Sequence, residues 1–132
     1  MNTMNENAFS NSKGIRKLET GNYKIGSLFF KTEMLSLFDS DGEEINLDYQ
    51  QGEILKMFLE ADDYFLNKKK TIETLWPDNK DAAKTLAFHN RFNTCITRLR
   101  QALSADPNIE VHCKHKKGYE LIVKDKTSPK GK

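Results

Sequence analysis

The apolar positions of this 132-residue chain change period along its length. The front half holds short β-prone runs, YKIGSLFF and MLSLF, with turns between them. DSDG at 39–42 is a turn signal and EEINL follows as a return strand, so a small antiparallel sheet is expected there. From residue 48 the apolar spacing becomes helical. Asp48-x-x-Gln51 fits a capping box, and Ile54, Leu55, Phe58 and Leu59 form one stripe of a first helix ending near Asp62. YFL reads as a short strand. Asn67 is positioned to cap a second helix with Ile72, Leu75 and Trp76 facing inward, and Pro77 stops it. A third helix is expected from Ala82 to Leu103. After Pro107, IEVHCK and GYELIV read as a hairpin with KHKK at its tip.

Polar residues dominate both ends. Residues 1–18 are expected to be a flexible tail or linker remnant and 125–132 a second tail, leaving one domain over 19–124. No apolar run approaches the roughly 20 residues of a membrane span. The N-terminus lacks a basic segment followed by an apolar one, so no secretory signal is expected. Cys95 and Cys113 are then expected to be reduced cytosolic thiols.

The net charge of +2 matters less than its distribution. From Asp39 to Asp63 nine acids face a single cation, Lys56. From Ala82 to Ala105 there are Lys84, Arg91, Arg98 and Arg100 and no acid; from Val111 to Tyr119 there are Lys114, Lys116 and Lys117 and no acid. On a helical wheel, Phe88, Phe92, Cys95, Ile96, Leu99, Ala102 and Leu103 share an arc of roughly 120°. Asn90, Asn93, Thr94, Thr97 and Gln101 lie opposite. Arg91 and Arg98 take one shoulder and Arg100 the other. Solvated helix faces usually mix both signs, and an acid-free face of amides and hydroxyls suits phosphates and base edges. Lys68, Lys69 and Lys70 open the second helix, the end where cations are disfavoured and a phosphate would offset them. HCKH at 112–115 places only Cys113 and His115 on one strand face, too few for structural zinc. No nucleophile–base pairing or phosphate-cradling glycine motif appears, so neither catalysis nor a cofactor is expected.

The order of strands, three helices and a terminal hairpin resembles the winged helix-turn-helix of the OmpR/PhoB type, the output domain of many bacterial response regulators. INLDYQQGEIL, TLW, CITRLRQAL and GYEL carry the likeness, in the family's order, over about residues 21–123. The resemblance implies an α+β fold with an N-terminal antiparallel sheet and a C-terminal wing. It implies a third helix in the major groove of double-stranded DNA and a wing on the flanking backbone or minor groove. It places Arg98 at a base- or phosphate-contacting position, Arg100 at the second arginine of the signature, and Asn93, Thr94 and Cys95 at variable positions that set sequence choice. His115 falls where the family carries a minor-groove arginine. The wing here reads His-Lys-Lys-Gly-Tyr rather than Arg-Gly-x-Gly-Tyr, which implies a phosphate-gripping wing.

The expected DNA-binding residues are therefore Asn90, Arg91, Asn93, Thr94, Thr97, Arg98 and Arg100 on the helix and Lys114, His115, Lys116 and Lys117 on the wing. Lys68, Lys69 and Lys70 are expected on the backbone. The resemblance further implies that Pro77, Asp78, Asn79, Lys80 and Asp81 form a loop able to touch RNA polymerase, and that two protomers pair on direct-repeat sites. No receiver domain fits in this length, so an output domain without its own receiver is expected, cytoplasmic and nucleoid-associated. The other reading is a winged-helix adaptor that binds protein and not DNA.

Overall fold

A computed structural model of the chain describes residues 14–79, 81, 84–115 and 117–124. It is an α+β winged helix. Five strands, β1 (Ile15–Lys17), β2 (Tyr23–Ile25), β3 (Leu28–Lys31), β4 (Ser36–Phe38) and β5 (Glu44–Ile45), pair antiparallel in sequence order. Three helices follow, α1 (Tyr49–Glu60), α2 (Lys68–Leu75) and α3 (Leu86–Leu103). Between α1 and α2, Asp62–Tyr64 forms a 3-10 turn and Phe65–Asn67 the strand β6. The hairpin β7 (Ile109–Lys114) and β8 (Gly118–Val123) closes the chain, and β6 pairs with β8 to make a second, three-stranded sheet.

Alternation sets the inner face of the first sheet: Tyr23, Ile25, Leu28, Phe30 and Leu37 are buried, with Lys24 and Lys31 on the other side. That face packs on α1 and α3 in one continuous core. α1 is started by a complete capping box: Asp48 Oδ1 accepts from Gln51 N at 2.9 Å, and Gln51 Oε1 accepts from Asp48 N at 3.3 Å. α2 is capped by Asn67, whose Oδ1 accepts from Lys70 N at 2.9 Å.

Two expectations need correction. Residues 15–17, assigned to a tail by their polarity, form β1 against β2, with Ile15 opposite Ile25. The strand is held by backbone pairing, so its charged Arg16 and Lys17 do not prevent it. The third helix starts at Leu86 rather than Ala82. Thr85 has extended backbone angles, so the helical run is broken there; its hydroxyl donates to Asp81 O at 2.8 Å. Ala82 itself, Lys80, Lys116 and the tails 1–13 and 125–132 lie outside the described residues.

A buried carboxylate joins the first sheet to the end of α3. Asp106 is 1% exposed. Its Oδ2 accepts from Ser27 N at 2.8 Å and Ser27 Oγ at 2.9 Å, and its Oδ1 from Asn108 N at 2.9 Å. These converging hydrogen bonds satisfy both carboxyl oxygens and make the burial tolerable.

Gly118 opens β8 for a steric reason. A Cβ there would stand 1.9 Å from Leu66 O on the neighbouring strand β6. Gly118→Ala is expected to lower stability by about 3 kcal/mol or more, at the upper end of overpacking costs, because the obstruction is backbone. Urea denaturation at equilibrium checks this.

Candidate nucleic-acid interface

The inner face of α3 fixes its outer one. Phe92, Ile96, Leu99 and Leu103 are at most 1% exposed, which leaves the helix no freedom to roll. Asn90, Asn93, Thr94, Thr97, Arg98 and Gln101 consequently line one open depression along the other side. The helix has no acid in its first turn. Thr94 Oγ1 donates to Asn90 O at 3.0 Å, which still leaves its hydroxyl able to accept.

The expected residues divide by what they touch. Asn90, Asn93, Thr94, Thr97 and Arg98 come together on this face. Arg91 sits at the α2–α3 junction, its guanidinium 5.0 Å from the Phe88 ring centre and 5.7 Å from that of Trp76. Cys95 does not face outward with its neighbours. It is buried, its thiol contacts Gln50 Oε1 at 3.7 Å, and burial together with the nearby Asp48 pushes its pKa up.

Arg100 turns the other way. Its Nε and Nη2 donate to Val111 O at 3.0 and 2.8 Å, and its guanidinium lies 5.6 Å from the Tyr119 ring centre. It braces α3 to both strands of the wing. Tyr119 adds a polar link: its hydroxyl donates to Asn93 Oδ1 at 3.3 Å. No spacing rule exposes that pairing, since β8 reaches α3 only through the tertiary fold. For Asp106 the sequence offers one signal, the Asp-Pro pair at 106–107.

The wing and the start of α2 are joined. Lys68 N donates to Lys117 O at 2.8 Å, which sets the start of α2, with Lys68, Lys69 and Lys70, beside the wing tip. At the tip Lys117 N closes a turn on Lys114 O at 3.0 Å, and His115 has a left-handed backbone, φ 54°. Lys114 Nζ lies 3.3 Å from Glu120 Oε1. Glu110, lower on the hairpin, bonds both Lys124 and His112, and these hold its carboxyl below its ordinary pKa. The hairpin's two acids are thus matched by cations below a basic tip. Pro77, Asp78, Asn79 and Asp81 are exposed in the loop before α3.

Residues 42–121 match the family described as "Transcriptional regulatory protein, C terminal". The chain belongs to this family. The match takes in all three helices and most of the wing, and it fits the OmpR/PhoB-type winged helix seen in the fold. The chain is also similar to the transcriptional regulatory protein RprY of Bacteroides fragilis (strain YCH46), at 29% identity over 117 residues. That alignment covers 88% of this chain and 47% of RprY, so the chain spans about half the length of this relative. The family is a class of regulator domains rather than of enzymes. Among the described residues no helix is long and apolar enough to cross a membrane.

The contrast between two arginines of the family's signature is testable. Arg100→Ala is expected to cost about 1–2 kcal/mol, since it removes two charge-assisted hydrogen bonds from an exposed site. Arg98→Ala is expected to change stability by less than about 0.5 kcal/mol. Paired thermal and urea melts of the two variants measure the difference.

Proposed function

We propose that this domain is a sequence-specific, double-stranded DNA-binding transcriptional regulator of the two-component output type. One observation carries the reading: the packed inner face of α3 gathers Asn90, Asn93, Thr94, Thr97 and Arg98 into a single acid-free outer surface. The major groove admits an α-helix, and α3, about 27 Å long at 1.5 Å per residue, spans enough of it to meet several base pairs. Asn and Arg side chains supply the donors and acceptors that base edges recognise.

In this arrangement Arg98 contacts a base or phosphate at the groove edge. Lys117, His115, Lys116 and Lys114 form a wing that grips the flanking backbone, and Lys68, Lys69 and Lys70 extend the same basic strip. Arg91, held at the α2–α3 junction, adds a phosphate contact. Arg100 acts mainly through its brace. The loop at 77–81, exposed at Pro77, Asp78, Asn79 and Asp81, is available to RNA polymerase, and two copies pair on direct repeats. The protein works in the cytoplasm, at the nucleoid.

With about four to six phosphates engaged, the logarithm of affinity should fall with the logarithm of salt at a slope of about −4 to −5. Arg98→Ala should weaken binding to the preferred site by about 1–3 kcal/mol. Fluorescence anisotropy with labelled duplexes across a salt series reads both. A folded protein that ignores duplex DNA even at low salt overturns the proposal.

A further inference from the structure

Tyr119 and Asn93 are 26 residues apart, yet they meet at the inner wall of the α3 surface. The tyrosine is firmly placed. Its ring centre lies 5.8 Å from that of Phe92, and the Arg100 guanidinium stacks on it. β8 holds its backbone opposite Leu66 and Cys113. Burial raises its pKa above the ordinary phenol value, so the hydroxyl keeps its proton and remains a donor. The acceptor is the Oδ1 of Asn93.

A carboxamide has two chemically opposite ends, an accepting oxygen and a donating NH2. Asparagine usually reads adenine by using both at once, on N6 and N7. With Oδ1 engaged by Tyr119, the NH2 is the end of the Asn93 amide left to donate to a base. Guanine offers N7 and O6 as acceptors there and thymine offers O4, whereas adenine sets its own N6 amino group beside N7. An amide whose oxygen is already engaged and whose NH2 donates therefore suits a keto-bearing base better than adenine, whose N6 would seek that oxygen.

We propose that Tyr119 is a specificity-determining positioning residue, whose hydroxyl orients the Asn93 amide so that α3 selects guanine or thymine, and rejects adenine, at the base facing Asn93. The proposal rests on the DNA-binding reading given above. Arg98 and the wing would then supply affinity, while Tyr119 touches no base and acts only through Asn93.

The test is selection of bound duplexes from a random pool, using the full chain as wild type, Asn93→Ala and Tyr119→Phe. Asn93→Ala marks the base position that Asn93 governs. Tyr119→Phe keeps the ring against Phe92 and Arg100 but removes the donor. The expected result is guanine or thymine at the marked position in the wild type, with adenine rising about threefold or more in Tyr119→Phe and other positions unchanged. An unchanged profile, or adenine in the wild type, overturns the inference. So does a uniform loss across all sequences, which would make Tyr119 a backbone contact. Selection of no duplex by the wild type overturns the DNA-binding reading instead. The orientation is then read in the free protein: the side-chain NH2 resonances of Asn93, but not those of Asn90, should shift in Tyr119→Phe, and unmoved Asn93 resonances overturn the contact.

Discussion

The rest of this structure depends on the burial of one face of α3. Phe92, Ile96, Leu99 and Leu103 meet the stripe Ile54, Leu55, Phe58 and Leu59 of α1 in a core closed by the first sheet. Burying each such side chain is worth about 1.5–3 kcal/mol, so rolling the helix by even one position would forfeit several of them. That constraint, and not any property of the polar residues, decides which side chains face outward. A helix that is both core and exposed surface needs its outer face held to within a fraction of a turn, and the packing supplies this.

The wing is tied to that helix rather than hung from it. Arg100 reaches β7 through Val111 O, its guanidinium covers Tyr119 on β8, and Tyr119 reaches back to Asn93. Lys117 O takes the Lys68 N–H, which joins the same hairpin to the start of α2. The hairpin, α2 and α3 are thereby fixed to one another by groups that are also the domain's cations or polar side chains. Arg91 shows the same double use, with its charged head lying over Trp76 and Phe88.

What could be read from the sequence was whatever is local. The Asp48–Gln51 capping box, the Asn67 cap and the inward stripe of α3 follow from spacing alone, and each is present in the fold. β1 was not legible, because Ile15–Lys17 has two charged residues and is held by pairing with β2 across a turn. The start of α3 was not legible either, because nothing local to Thr85 announces the extended backbone angles it takes. A wheel placed Arg100 on a shoulder of α3, yet could not say that a carbonyl 11 residues on would take two of its hydrogens. Tyr119 carries an aromatic body and a polar tip. The body was predictable as packing, and the tip was not, since its partner lies on another element.

The helix starts bear on the electrostatic reading. α1 is opened by a carboxylate, Asp48, the usual answer to the positive end of a helix dipole. α2 is opened by neutral Asn67 and followed by three lysines, and α3 by Thr85 with no side-chain cap bond; neither has an acid in its first turn. A cation at such an end is disfavoured by about 0.3–1 kcal/mol. Backbone bonds ease this only in part: Asn67 and Lys117 O serve the first turn of α2, and among the described residues no ion pair neutralises the lysines there. Stability alone would favour a carboxylate at these positions, as at α1. A surface that meets phosphate favours its absence, because a fixed carboxylate would repel the ligand whose charge can take its place. The first turns of α2 and α3 carry no acid, which supports a phosphate-bearing partner more directly than the net charge of +2 does.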